Sequence, residues 1–165
     1  MKRRTILVIA ALIVVLAGWY LFRPERLFVN ATVNEAFPAA VGGKAAGAGS
    51  PVTLAQGRFH DGAHKTAGTA TIHQLPDGKR VLRLTDFETS NGPDVRVYLV
   101  AAEDATDNDT VTRAGFMELG SLKGNIGDQN YDLPAETDLT KYKSVTIWCR
   151  RFGVNFGTAP LMPHS

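Results

Sequence analysis

Ile6 to Phe22 reads ILVIAALIVVLAGWYLF, without a charge and without a polar stripe. Such a segment has no face to turn to water, and in lipid only a helix satisfies its backbone. At about 1.5 Å per residue this helix is roughly 25 Å long, a little short of a ~30 Å hydrocarbon core. Thr5 extends it by one residue, and Trp19 and Tyr20 suit the headgroup layer at its end. The competing reading is a cleaved signal peptide, whose apolar run is usually about 7–15 residues before a small-x-small site. The run here is longer and ends in Trp19, Tyr20, Leu21 and Phe22, so the expectation is an uncleaved anchor over 5–22. Lys2, Arg3 and Arg4 put residues 1–4 in the cytoplasm and the rest outside it.

After the anchor the pattern breaks up. Residues 23–50 mix scattered apolar positions with the small-residue run Ala39–Ser50 (AAVGGKAAGAGS), which has almost nothing to bury. A flexible Gly/Ala-rich spacer is expected there. Gly43-Lys44 is not followed by Ser or Thr, so it does not read as a phosphate loop.

From Pro51 to the end the period shortens to two. Thr69–Leu75 and Lys79–Phe87 flank Pro76-Asp77-Gly78, which predicts a hairpin with a type I′ turn. Asp94–Ala102 alternates with Val95, Val97 and Leu99 on one face. Phe116–Leu122 and Asn130–Leu133 are shorter candidates. Lys143–Arg151 places Val145, Ile147 and Cys149 on one face and Thr146, Trp148 and Arg150 on the other, and 152–157 reads as its continuation beyond a bulge at Gly153. No 3.6-residue period is visible after residue 51. The expected fold is all-β, an antiparallel β-sandwich or barrel-like domain over 51–165, preceded by one transmembrane helix.

A formal charge of +2 is too balanced for a nucleic-acid binder, which would show Lys and Arg clustered on one face. The single Cys149 removes any internal disulfide and any multi-cysteine metal site. Cys149 therefore has two readings: a buried small hydrophobe, or a redox thiol whose thiolate Arg150 and Arg151 would stabilise. His60 and His64 are candidate ligand-binding residues, but Asp61-Gly62 between them argues for a turn, so no metal site is expected from their spacing. Cys149, Met162 and His164 do not make the set that a copper site wants. A carrier of metal or haem would have to draw on His60, His64 or Met117, and the sequence requires no cofactor. Glu103, Asp104, Asp107 and Asp109 lack calcium-loop spacing and read as a solvated loop.

Several stretches together resemble one family. They are Gly57-Arg58-Phe59-His60, Gly68-Thr69-Ala70, Leu84-Thr85-Asp86-Phe87, Gly92-Pro93-Asp94-Val95-Arg96-Val97-Tyr98-Leu99, Glu118 to Asn125, Gly127 to Tyr131, Val145 to Cys149, and the closing run Phe152 to Leu161. Over roughly residues 52–162 the chain resembles the DM-thirteen domain, in the form of a bacterial single-anchor protein. The resemblance implies a β-sandwich-like fold and a role in electron transfer or a related redox reaction, with a family cysteine as redox group. Cys149, preceded by Trp148, occupies that position. The expectation is thus a membrane-anchored, extracytoplasmic module that works with an unidentified redox or envelope protein. The rival is a binding domain in which Cys149 only packs and the loops at His60–His64 and Glu103–Asp109 make the contacts.

Overall fold

A computed structural model describes residues 2–22, 29–38 and 49–164. Its first element, α1 (Lys2–Phe22), absorbs the basic N-terminus into the helix, and at 21 residues it reaches about 31 Å, enough for a hydrocarbon core. Over Lys2–Tyr20 none of it is buried, and after its three basic residues it has the composition of a span rather than of a core helix.

The remaining elements, in chain order, are β1 (Val52–Arg58), β2 (His60–Asp61), β3 (Ala67–Gln74), β4 (Arg80–Glu88), β5 (Val95–Val100), α2 (Asn108–Ala114), β6 (Phe116–Ser121), β7 (Gln129–Leu133), β8 (Ser144–Cys149), β9 (Val154–Pro160) and β10 (Met162–Pro163). They form two antiparallel five-stranded sheets, ordered β10-β1-β3-β4-β7 and β2-β9-β8-β5-β6. The core lies between them, with Ala70, Ile72, Leu82 and Leu84 from the first sheet meeting Val97, Leu99, Val145 and Ile147 from the second. Two sheets packed face to face over one core make a sandwich.

The second sheet has a further apolar layer on its outer face. Tyr98, Val100 and Trp148 are covered there by Ala105 and by Val111 of α2. All six residues of β8 are consequently buried, although their alternation reads as one wet face and one dry face. The helix α2 was not visible as a period. Asp107, expected within a solvated acidic loop, accepts a hydrogen bond from the Thr110 amide and caps its N-terminus, and Arg113 pairs with Asp109 one turn on.

Two turn expectations are corrected. The β3–β4 turn is not type I′, because only Gly78 has positive φ, at 85°. Leu75 and Lys79 still bond across the turn, which makes a three-residue loop closed by a left-handed glycine. At Gly153 there is no bulge in a continuing strand. Its φ of 62° and its amide bond to the Cys149 carbonyl reverse the chain, so that β9 returns antiparallel to β8.

Residues 29–38, expected within the flexible spacer, lie along the chain just before and into β7. Val33 N–H donates to the Ile126 carbonyl at 2.9 Å, and Glu35 N–H to that of Asp128 at 2.9 Å. At the β7 edge of the first sheet they meet Asn130, whose N–H donates to Glu35 Oε2 at 2.7 Å, and Phe37 reaches on to His73 of β3. The spacer expectation for 23–28 and 39–48 lies outside the described residues.

Candidate functional site

Strand β8 ends in Trp148 and Cys149, whose side chains point to opposite faces of the second sheet. Cys149 is 0% exposed and belongs to the inter-sheet core, paired in the ladder with Val95 on one side and Val154 on the other. Its sulfur is closed to solvent in this conformation. Trp148 lies in the outer layer, its ring 6.3 Å from that of Tyr98, and Tyr98 in turn stacks on the half-exposed Phe116 at 4.3 Å.

A cleft of about 610 Å³ opens at this end of the sandwich. Its walls are the loop before β5 (Ser90–Asp94), the first residues of β5, the last residue of β6 with the segment after it (Ser121–Asn125), and Val29 and Ala31. Val95 belongs to both regions: it lines the cleft, is 8% exposed, and stands directly beside Cys149 in the antiparallel ladder. Opposed side chains of such a pair lie about 5 Å apart on the same face. Val95 thus adjoins both the cleft and the thiol. Gly92 closes over Val95 and Phe156 so tightly that a Cβ there would collide with the Val95 side chain.

The rim of the cleft is a charge network. Asp94 accepts from Arg96 Nε at 2.6 Å and from Arg150 Nε at 2.9 Å, and Arg96 Nη1 also reaches Glu118 at 2.9 Å. Partial burial opposes ionisation of Asp94, but the two guanidinium groups outweigh it and hold its carboxyl below the usual range. Arg150, expected beside a thiolate, is instead turned to Asp94 and Glu118, because it follows Cys149 in the turn beyond the end of β8. Arg151 is exposed. Asp94 and Glu118 were missed in the sequence. The same-face spacing of Asp94 and Arg96 was the available signal.

His60 and His64 do not converge. His60 on β2 bonds Asp104 through Nε2 at 2.8 Å and the Asp61 carbonyl through Nδ1 at 3.0 Å. Burial alone would lower its pKa, but these two acceptors and the charges of Asp104 and Asp61 raise it above the ordinary histidine value. His64 instead lies against the Phe156 ring, 3.9 Å between centroids. Met117 is partly buried, its sulfur 4.0 Å from the Thr137 hydroxyl. Among the described residues no group of three or more His, Cys, Asp or Glu is placed to hold a metal ion.

Comparison with protein families decides the lineage. The model of the family described as Electron transfer DM13 matches residues 58–161, from the end of β1 to the end of β9. The chain belongs to that family. The match takes in Cys149, the Asp94–Arg96–Glu118 network and most of the cleft, and leaves out α1 and residues 29–38. No curated protein and no solved structure matches the chain.

Proposed function

We propose that this protein is a membrane-anchored electron-transfer module, its sandwich outside the cytoplasm, which exchanges electrons with a partner protein through Cys149. Membership of the Electron transfer DM13 family carries the electron-transfer class. The apolar helix α1 and the basic residues at its start support the anchor and its orientation. Position supports Cys149, since its ladder partner Val95 also lines the cleft. A lone thiol cannot close its own disulfide. In the proposed reaction the Cys149 thiol loses its proton to solvent and attacks a disulfide of the partner. A mixed disulfide forms, and the partner's second sulfur leaves as a thiolate.

That reaction requires Val95 and the Ser90–Pro93 loop to part from the sheet, because the sulfur is sealed in the resting fold. The complete burial of Cys149 favours a second reading: a binding domain, without thiol chemistry, in which the cysteine is a core residue. Native-state alkylation separates the two. The full-length protein is treated with a small maleimide over a series of low urea concentrations. Local opening gives a rate that hardly changes with urea, whereas exposure only by global unfolding gives a rate that rises with the full denaturant slope. The second pattern would leave Cys149 as packing.

A further inference from the structure

Residues 29–38 lie outside the family match, yet they are built into the domain. Ala31 N–H donates to Asn125 Oδ1 at 2.7 Å, and Lys123 Nζ lies 2.7 Å from Glu35 Oε1. Arg83 Nη1 bonds the Glu35 carbonyl at 3.2 Å, and Phe37 meets the His73 ring edge-on at 5.0 Å. Two glycines allow this close approach. A Cβ on Gly124 would strike the Ala31 carbonyl, and one on Gly127, where φ is 99°, would strike the Val33 carbonyl. The strap also has a direction. It begins at Val29 and Ala31 in the wall of the cleft and runs parallel to the chain entering β7, away from the cleft.

We propose that this docked strap holds the cleft close to the bilayer, so that its rim meets a polypeptide loop of a protein embedded in the same membrane. The inference rests on the anchor reading of α1. Six residues, 23–28, join Phe22 to Val29, and at ~3.3–3.6 Å per residue that connection reaches at most about 25 Å. A spacer running from 23 to 50 would reach roughly 100 Å on the same basis. The strap therefore removes most of the reach that the sequence offers, and it attaches at the cleft end. The Pro76–Gly78 turn lies at the opposite end, about 25 Å further along strands of this length.

The chemistry of the rim suits a polypeptide better than a lipid headgroup. Among the described residues the two cations that line the cleft are already engaged, Arg96 by Asp94 and Glu118 and Lys123 by Glu35, so neither is left uncompensated for a headgroup phosphate. Neutral polar groups on Asn91 and Ser121 alternate with apolar Val95 and Leu122, the mixture found at contacts between proteins. Transfer between proteins of this kind uses small, transient contacts, for which confinement to one membrane raises the effective concentration.

The test uses the full-length chain in phosphatidylcholine vesicles that carry an acceptor dye on lipid. A fluorescent amino acid at Ser121 or Asp77 serves as donor. Energy transfer from Ser121 should exceed that from Asp77. A twenty-residue Gly/Ser insertion between residues 28 and 29 should lower the Ser121 signal at least twofold, and the same insertion between 45 and 46 should leave it unchanged. Gly124→Ala, which displaces the strap, should lower it as the first insertion does. Equal responses to the two insertions would overturn the strap as the holding element. Failure of the wild-type chain to float with vesicles would overturn the anchor itself, and the proposal with it, before any transfer is measured. A photocrosslinker at Ser121 in native membranes tests the partner. An adduct with a carbonate-resistant protein is expected. Adducts confined to extractable proteins or to phospholipid, or no adduct, would overturn it.

Discussion

Cys149 and His60 lie on the same sheet and are opposites as chemical groups. Cys149 carries the sharper chemistry and has no access, with a core on every side. His60 is 38% exposed and has access, yet both ring nitrogens are already engaged, one by Asp104 and one by a backbone carbonyl. A reactive residue type is therefore not a site until the fold supplies a route to it, and an exposed one is not a site while its lone pairs and protons are taken. In this molecule Val95 is the ladder neighbour of Cys149 that also lines a cleft, and His60 on β2 holds Asp104 of the loop after β5.

That contrast can be broken at several points. Trp148→Ala should cost the most, about 3–5 kcal/mol by urea denaturation, since it empties the apolar layer beneath Tyr98 and α2 without touching the thiol. Cys149→Ser replaces a thiol in a dry core with a hydroxyl that must find a partner, at about 1–3 kcal/mol. A loss near zero would mean that water reaches the position and that the core reading is wrong. Val95→Ala should cost less, about 1–2 kcal/mol, but it thins the wall between cleft and sulfur. Maleimide should then label Cys149 at least tenfold faster than in the wild type, by more than the lost stability explains. An unchanged rate after correction for stability would show that the cleft is not the route.

The smallest effect belongs to His60→Gln. The His60–Asp104 pair is more than a third exposed on both sides, so solvent limits its worth to under about 1 kcal/mol. Its sign with pH is fixed. The folded pKa of His60 is raised, so the stabilisation is fully present below the unfolded value of about 6.5 and is lost as pH rises through the folded value. The difference in stability between wild type and His60→Gln should therefore shrink on going from pH 5.5 to 8.5. A difference that grew with pH would mean that the pair is held by a neutral ring.

The positions that were readable in the sequence are those set by local pattern. The uncharged run before Arg23, the period of two in β3, β4, β5 and β8, and the in-and-out order of Val145, Ile147, Cys149 against Trp148 are all kept in the folded chain. The misreadings fall where a distant segment changes what a local pattern means. The acidic stretch stays a loop through Asp107 but runs on into α2, because Asp107 caps the helix and Val111 covers the outer face of the second sheet. The polar-looking residues 29–38 became a strap because Gly124 and Gly127, about ninety positions later, lack the Cβ that would keep them out. Gly153 read as a bulge because nothing local tells a kink from a reversal.

The anchor-like helix, the β class and the facing of Cys149 follow from the sequence alone, because each depends on residues within one turn or one strand of one another. Tertiary structure decided that Cys149 is sealed, that Val95 adjoins both it and a cleft, and that His60 is bonded to Asp104. Each of these depends on which elements become neighbours, and burial is a property of those neighbours rather than of the residue buried.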